Sequence, residues 1–138
     1  MIIDATNLLL GRMASFIAKK ALLGEKIDII NCEKAMISGN KASMIEKYKQ
    51  RQLIGNTFKG PFYPRKPNMF VRRAIRGMLS YKRESGRKAF ERIKCYIGVP
   101  DNFKDKKAET VENANVKKLP YLKYVEISRI CKETGAKW

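Results

Sequence analysis

The stretch MIIDATNLLLGRMASFIAKKALLGEKIDIINC, residues 1 to 32, decides the fold. Met1-Ile2-Ile3-Asp4-Ala5 reads as a short strand. Asn7 is placed to cap a helix. Leu10, Met13, Ala14, Ile17 and Ala21 then recur at the 3.6-residue period, and Gly24 supplies a stop. Ile27-Asp28-Ile29-Ile30-Asn31-Cys32 is short and β-branched, which suits a second strand. A strand, a helix and a strand within this span form a βαβ unit. Such a unit implies parallel pairing and a right-handed crossover.

Downstream, the turn Ser38-Gly39-Asn40-Lys41 opens a second helix running to about residue 53. Ser38 or Asn40 caps it, and Met44, Ile45 and Tyr48 face inward. Its first amides and Lys41 make a weak anion site. The segment from Gly55 to Pro67 holds Gly55, Gly60, Pro61, Pro64 and Pro67, so it is an extended loop, and Lys59, Arg65 and Lys66 make it basic. A third helix follows, with Val71, Ile75, Met78 and Leu79 on its apolar stripe and Arg72, Arg73 and Arg76 off it. Gly77 weakens that helix by about 1 kcal/mol relative to alanine and leaves room for another backbone. Lys82-Arg83-Glu84-Ser85-Gly86-Arg87-Lys88 turns into a short helix with Phe90 and Ile93. Cys95-Tyr96-Ile97 reads as a third strand. Residues 101–118 are polar and featureless, Leu119 to Val125 read as extended, and Ile127, Ile130 and Cys131 mark a last helical turn. The chain carries no internal repeat and reads as a single domain over residues 1–138.

Charge is segregated along this frame. The 138 residues carry 30 Lys+Arg against 13 Asp+Glu, a net of +17. Residues 41–94 hold 16 of the basic and only 3 of the acidic side chains, whereas residues 1–40 hold 5 and 4. A footprint so concentrated points to a polyanionic partner. Arginine suits RNA because its planar fork meets two phosphate oxygens at once and stacks on a base. Phe58, Phe62, Tyr63, Phe70 and Tyr81 are interleaved with these cations. Each ring either stacks on an unpaired base or anchors the loop to the domain.

Other chemistries lack their residues. With no histidine there is no Cys/His zinc site and no Ser-His or Cys-His pair, so the sequence offers no catalytic residue, no metal site and no cofactor site. The glycines of Gly55-Asn56-Thr57-Phe58-Lys59-Gly60 have phosphate-loop spacing, but Pro61 stands where that loop needs its lysine. Cys32, Cys95 and Cys131 are too scattered for a disulfide framework and read as reduced core residues. No signal peptide and no membrane span is legible, and no small-molecule substrate is implied.

The order of blocks resembles a known family. Ile3-Asp4-Ala5 with Leu10-Gly11-Arg12-Met13-Ala14-Ser15, Ile30-Asn31-Cys32-Glu33-Lys34 with Ile37-Ser38-Gly39, Gly60-Pro61 with Arg65, Pro67, Arg73 and Arg76-Gly77-Met78-Leu79, and Gly86, Ala89, Ile93-Lys94-Cys95-Tyr96 with Gly98-Val99-Pro100 follow one another over residues 2–100. Together they resemble the universal large-subunit ribosomal protein family thirteen, in its archaeal and eukaryotic form. Ser80 departs from the family, which has proline there. The resemblance implies an α/β fold: a three-layer α/β/α sandwich around a small, mostly parallel sheet of about four strands, with a basic extended loop. It implies a cytoplasmic, ribosome-bound protein with large-subunit ribosomal RNA and neighbouring large-subunit ribosomal proteins as partners. The main phosphate contacts expected are Arg65, Lys66, Arg72, Arg73, Arg76, Arg83, Arg87 and Lys88. Lys82 belongs to the same basic turn, and Arg12, Lys41 and Lys59 are secondary. Two other roles are compatible with the residues alone, an RNA-binding regulator acting off the ribosome and a nucleotide-dependent enzyme built on the βαβ start.

Overall fold

The computed structural model describes residues 1–138. Its centre is a three-stranded parallel sheet of β1 (Ile2–Asp4), β2 (Ile27–Ile30) and β4 (Ile93–Cys95), in the order β1-β2-β4. Register sets Ile3 beside Ile29 and Ile27 beside Ile93. Because side chains alternate along a strand, these four isoleucines share one face, and all are fully buried.

The crossover α1 (Leu10–Leu22) buries Leu10, Met13, Ala14, Ile17, Ala18 and Ala21, and its small alanines let α3 (Pro67–Met78) pack closely. Short α4 (Glu84–Glu91) packs on α1 as well. The opposite face is mixed: Asp28 and Lys94 stand side by side there with Ile2 and the buried Ile30. The helices α1, α3 and α4 therefore gather on the apolar face, in a core cluster of 24 buried residues.

A second, two-stranded antiparallel ribbon joins β3 (Met36–Ser38) to β5 (Tyr124–Glu126). It leads into α5 (Ile127–Glu133), which packs against α2 (Lys41–Leu53). The mixed α/β class and mostly parallel sheet match the sequence reading, while the strands divide as three plus two. The place beside β1 is taken by Glu109 alone. The Glu109 amide donates to the Ile2 carbonyl at 2.8 Å, and the Glu109 carbonyl accepts from the Asp4 amide at 3.0 Å.

Four local expectations shift, and one open alternative is decided. Asn7 does not cap α1: it adopts φ +58° in a turn, and Leu9 occupies the cap position. The cause is tertiary, since the Leu9 amide donates to Ala114 and the Leu8 carbonyl accepts from Met36, which holds both residues outside the helix. Asn40, rather than Ser38, caps α2, with its side chain accepting from the Ala42 amide at 3.1 Å. Met78 is 46% exposed, and Phe70 takes its place in the apolar stripe of α3. The helix ends there, and extended backbone at Leu79 turns that side chain inward. Ile93 belongs to β4 rather than to the preceding helix, and the strand spans Ile93–Cys95 instead of Cys95 to Ile97.

At the carboxyl ends of β1 and β2, Asp4 accepts from the Thr6 hydroxyl at 2.7 Å, the Thr6 amide at 3.0 Å and the Asn31 amide group at 3.0 Å. Asn31 sits in the left-handed region at φ +54°, a conformation asparagine tolerates better than most residues. Burial pushes the Asp4 carboxyl up, but these hydrogen bonds and the Lys34 charge outweigh it and hold the group below its usual value. All three cysteines are free thiols, Cys32 and Cys131 buried and Cys95 half-buried.

Candidate nucleic-acid interface

The loop between α2 and α3 is closed by its own hydrogen bonds. The Asn56 amide donates to Gly60 at 3.1 Å and the Gly60 amide to Asn56 at 2.9 Å. The Asn56 side chain also accepts from the Phe58 amide. The interleaved rings then separate into two groups. Tyr63 and Phe70 anchor the loop, packing with Tyr48 in a triad whose centroids lie 4.9–6.1 Å apart. Burial pushes the Tyr48 phenol up, Tyr63 adds to this, and Arg51 pulls part of it back. Phe58 and Phe62 are instead 90% and 72% exposed.

Helix α3 carries the cations to this loop. Arg72 lies over the Phe90 ring at 4.6 Å, Arg73 over Tyr63 at 4.3 Å and Arg76 over Tyr81 at 4.8 Å. Arg73 also donates to the Phe62 carbonyl at 3.1 Å. Such stacking holds a long side chain in place while leaving N–H groups free. Arg72, Arg73 and Arg76 all line one groove of about 270 Å³, together with Phe62, Pro64, Met69 and Phe90.

The remaining expected residues distribute around that groove. Lys82, Arg83, Arg87 and Lys88 are exposed on the turn and on α4, and Lys66 is exposed at the start of α3. Arg65 is exposed with its guanidinium beside Gly135. Lys59 is exposed in the loop and Lys41 at the first position of α2. Arg12 lies apart, donating to the Asn113 carbonyl at 3.4 Å in a cleft shared with Ser15, Phe16 and Lys19. Of these twelve side chains only Lys88 forms an ion pair, with Glu84 at 2.7 Å. Neither α2 nor α3 has an acid in its first turn, and lysines stand at both starts. A cation at a helix N-terminus is unfavourable by about 0.3–1 kcal/mol, a penalty that a bound phosphate removes.

Arg51 is a cation that sequence reasoning missed. It lies 5.2 Å from the Tyr48 centroid and 5.9 Å from Tyr63, and it shares a second cleft with Ile54, Pro61, Arg73 and Gly77. Its three-residue spacing from Tyr48 on one helix was the available signal.

Residues 1–102 match the family model described as ribosomal protein L13. The chain belongs to the ribosomal protein L13 family. Its relatives extend the match over the remaining residues. A protein of Methanosarcina barkeri named large ribosomal subunit protein uL13 is 43% identical over 138 residues, covering 99% of each chain. Proteins of the same name from Methanopyrus kandleri and Haloarcula marismortui are 43% and 38% identical, over 97% and 99% of this chain and 86% and 91% of theirs. The L13 family consists of structural ribosomal proteins rather than enzymes, and these archaeal members agree with the resemblance in the motif blocks. No helix is long and apolar enough to cross a membrane.

Proposed function

We propose that this L13 family member acts as one RNA-binding unit of the large ribosomal subunit. Its basic face neutralises phosphates where segments of large-subunit ribosomal RNA converge, and so holds the RNA fold during assembly and translation. Arg65, Lys66, Arg72, Arg73, Arg76, Lys82, Arg83, Arg87 and Lys88 make the main contacts. Arg12, Lys41, Lys59 and Arg51 extend the footprint. One observation carries this reading: the cations of α3, the basic turn and α4 stand on one continuous segment with a single carboxylate pairing among them. Phosphate contacts position a protein without reading sequence, which suits a scaffold role. The exposed Tyr121 and Leu122 support a contact with neighbouring ribosomal proteins on this part of the chain.

The experiment is a titration of large-subunit ribosomal RNA at several salt concentrations. With six to ten phosphate contacts, affinity falls about 10³–10⁵-fold between 50 and 200 mM salt. A flat salt dependence refutes the phosphate clamp.

A further inference from the structure

The groove against α3 is built for more than phosphate. Its lining holds three arginines and no carboxylate, yet Phe62 and Pro64 supply an apolar wall from the loop, with Met69 and Phe90 also lining it. Phe62 is 72% exposed, so most of its ring surface is left to water. Arg73 donates to the Phe62 carbonyl at 3.1 Å and fixes the backbone that presents the ring. Arg72 rests one face on Phe90, and its Nε is shut off from solvent without a hydrogen-bond partner. At about 270 Å³ the groove lies just below the ~300–1,000 Å³ range of small-ligand pockets, which leaves room for one planar ring system.

We infer that this groove receives one unpaired nucleotide of the RNA, its base stacked on Phe62 and accepting from Arg72, and its phosphate on Arg76. This rests on the RNA-binding reading above and adds to it the kind of RNA recognised. A regular A-form duplex offers phosphates but no unstacked base, and would leave the Phe62 ring in water. A bulged or looped nucleotide satisfies the exposed ring and the free cation together. Stacking of this kind tolerates any base, because every base has a π-face.

The test compares three probes at one low salt concentration: a short blunt RNA duplex, the same duplex with one bulged nucleotide, and the same duplex with an abasic bulge. The protein is expected to bind the bulged duplex about 5- to 150-fold more tightly than the blunt one. The abasic bulge should bind like the blunt duplex, since the backbone kink alone supplies no ring. Phe62→Ala should erase the preference, and Phe62→Trp should retain it. Equal affinity of the unmodified protein for all three probes overturns the nucleotide slot while leaving the phosphate clamp standing. Absence of binding to every probe overturns both.

Discussion

Gly86→Ala should destabilise the protein, although alanine is the better helix former. Gly86 lies in the first turn of α4, where the helix crosses the turn that follows α3. A Cβ built there falls 2.2 Å from the Ser80 carbonyl oxygen, 2.4 Å from its carbon and 3.0 Å from the Tyr81 nitrogen. All three are backbone atoms, so no side-chain rotation relieves the contact. Ordinary carbon–oxygen contacts lie at about 3.3–3.6 Å, so helix and turn must separate by roughly 1 Å. That shift strains the hydrogen bond from the Arg83 amide to the Ser80 carbonyl. Overpacking of this kind costs about 1–3 kcal/mol, against a helix-propensity gain of at most about 1 kcal/mol. The net loss is at most about 2 kcal/mol, or up to roughly 6–12 °C in Tm for a chain of this size. Gly77→Ala is the matched control. It adds the same methyl to α3 with nothing within 4 Å, and should raise stability by about 0.5–1 kcal/mol. Thermal melts followed by circular dichroism compare the two. If Gly86→Ala melts at or above the unsubstituted protein, in parallel with Gly77→Ala, the close approach of α4 to the turn is wrong.

Other consequences follow from the sheet end and the thiols. Because the Asp4 carboxyl is held below its ordinary value of 3.8, its stabilisation is fully present above about pH 4 and is lost as pH falls through the lowered value. Asp4→Ala should therefore cost about 1 kcal/mol at neutral pH, a modest figure because the carboxyl is partly solvated, and the difference should shrink in acid; urea unfolding at several pH values measures it. Burial pushes the Cys131 thiol up to about 12, and Cys32 is also raised, by the adjoining Cys95 thiol and by burial. At pH 8 a thiol reagent should then label Cys32 and Cys131 far more slowly in the native protein than after denaturation. Rapid labelling of both in the native state would contradict the packed core.

Legibility in the sequence followed the range of the interactions. The βαβ start was readable because Leu10, Met13, Ala14, Ile17 and Ala21 repeat locally, and because Ile27 to Ile30 is β-branched. Strand β3 was not, since Met36-Ile37-Ser38 has no pattern of its own and becomes a strand through pairing with residues near 125. Glu109 beside β1 and the displaced cap at Asn7 have the same origin in contacts distant along the chain. For the interface, charge segregation was plain in the counts. Which rings anchor and which face outward was not, because Phe62 and Tyr63 are neighbours in sequence and differ only in what packs over them. The stacking of Arg72 on Phe90 joins two helices, so only the fold brings it about.

The most direct test of the central claim is zero-length ultraviolet crosslinking in native large ribosomal subunits that contain this protein, with crosslinked peptides identified by mass spectrometry. The account predicts crosslinks to large-subunit RNA within residues 58–88, at the exposed rings Phe58, Phe62 and Tyr81 and on the flanking arginine peptides. A segment free of crosslinks, with RNA attached instead around Asp28 and Lys94, would contradict it.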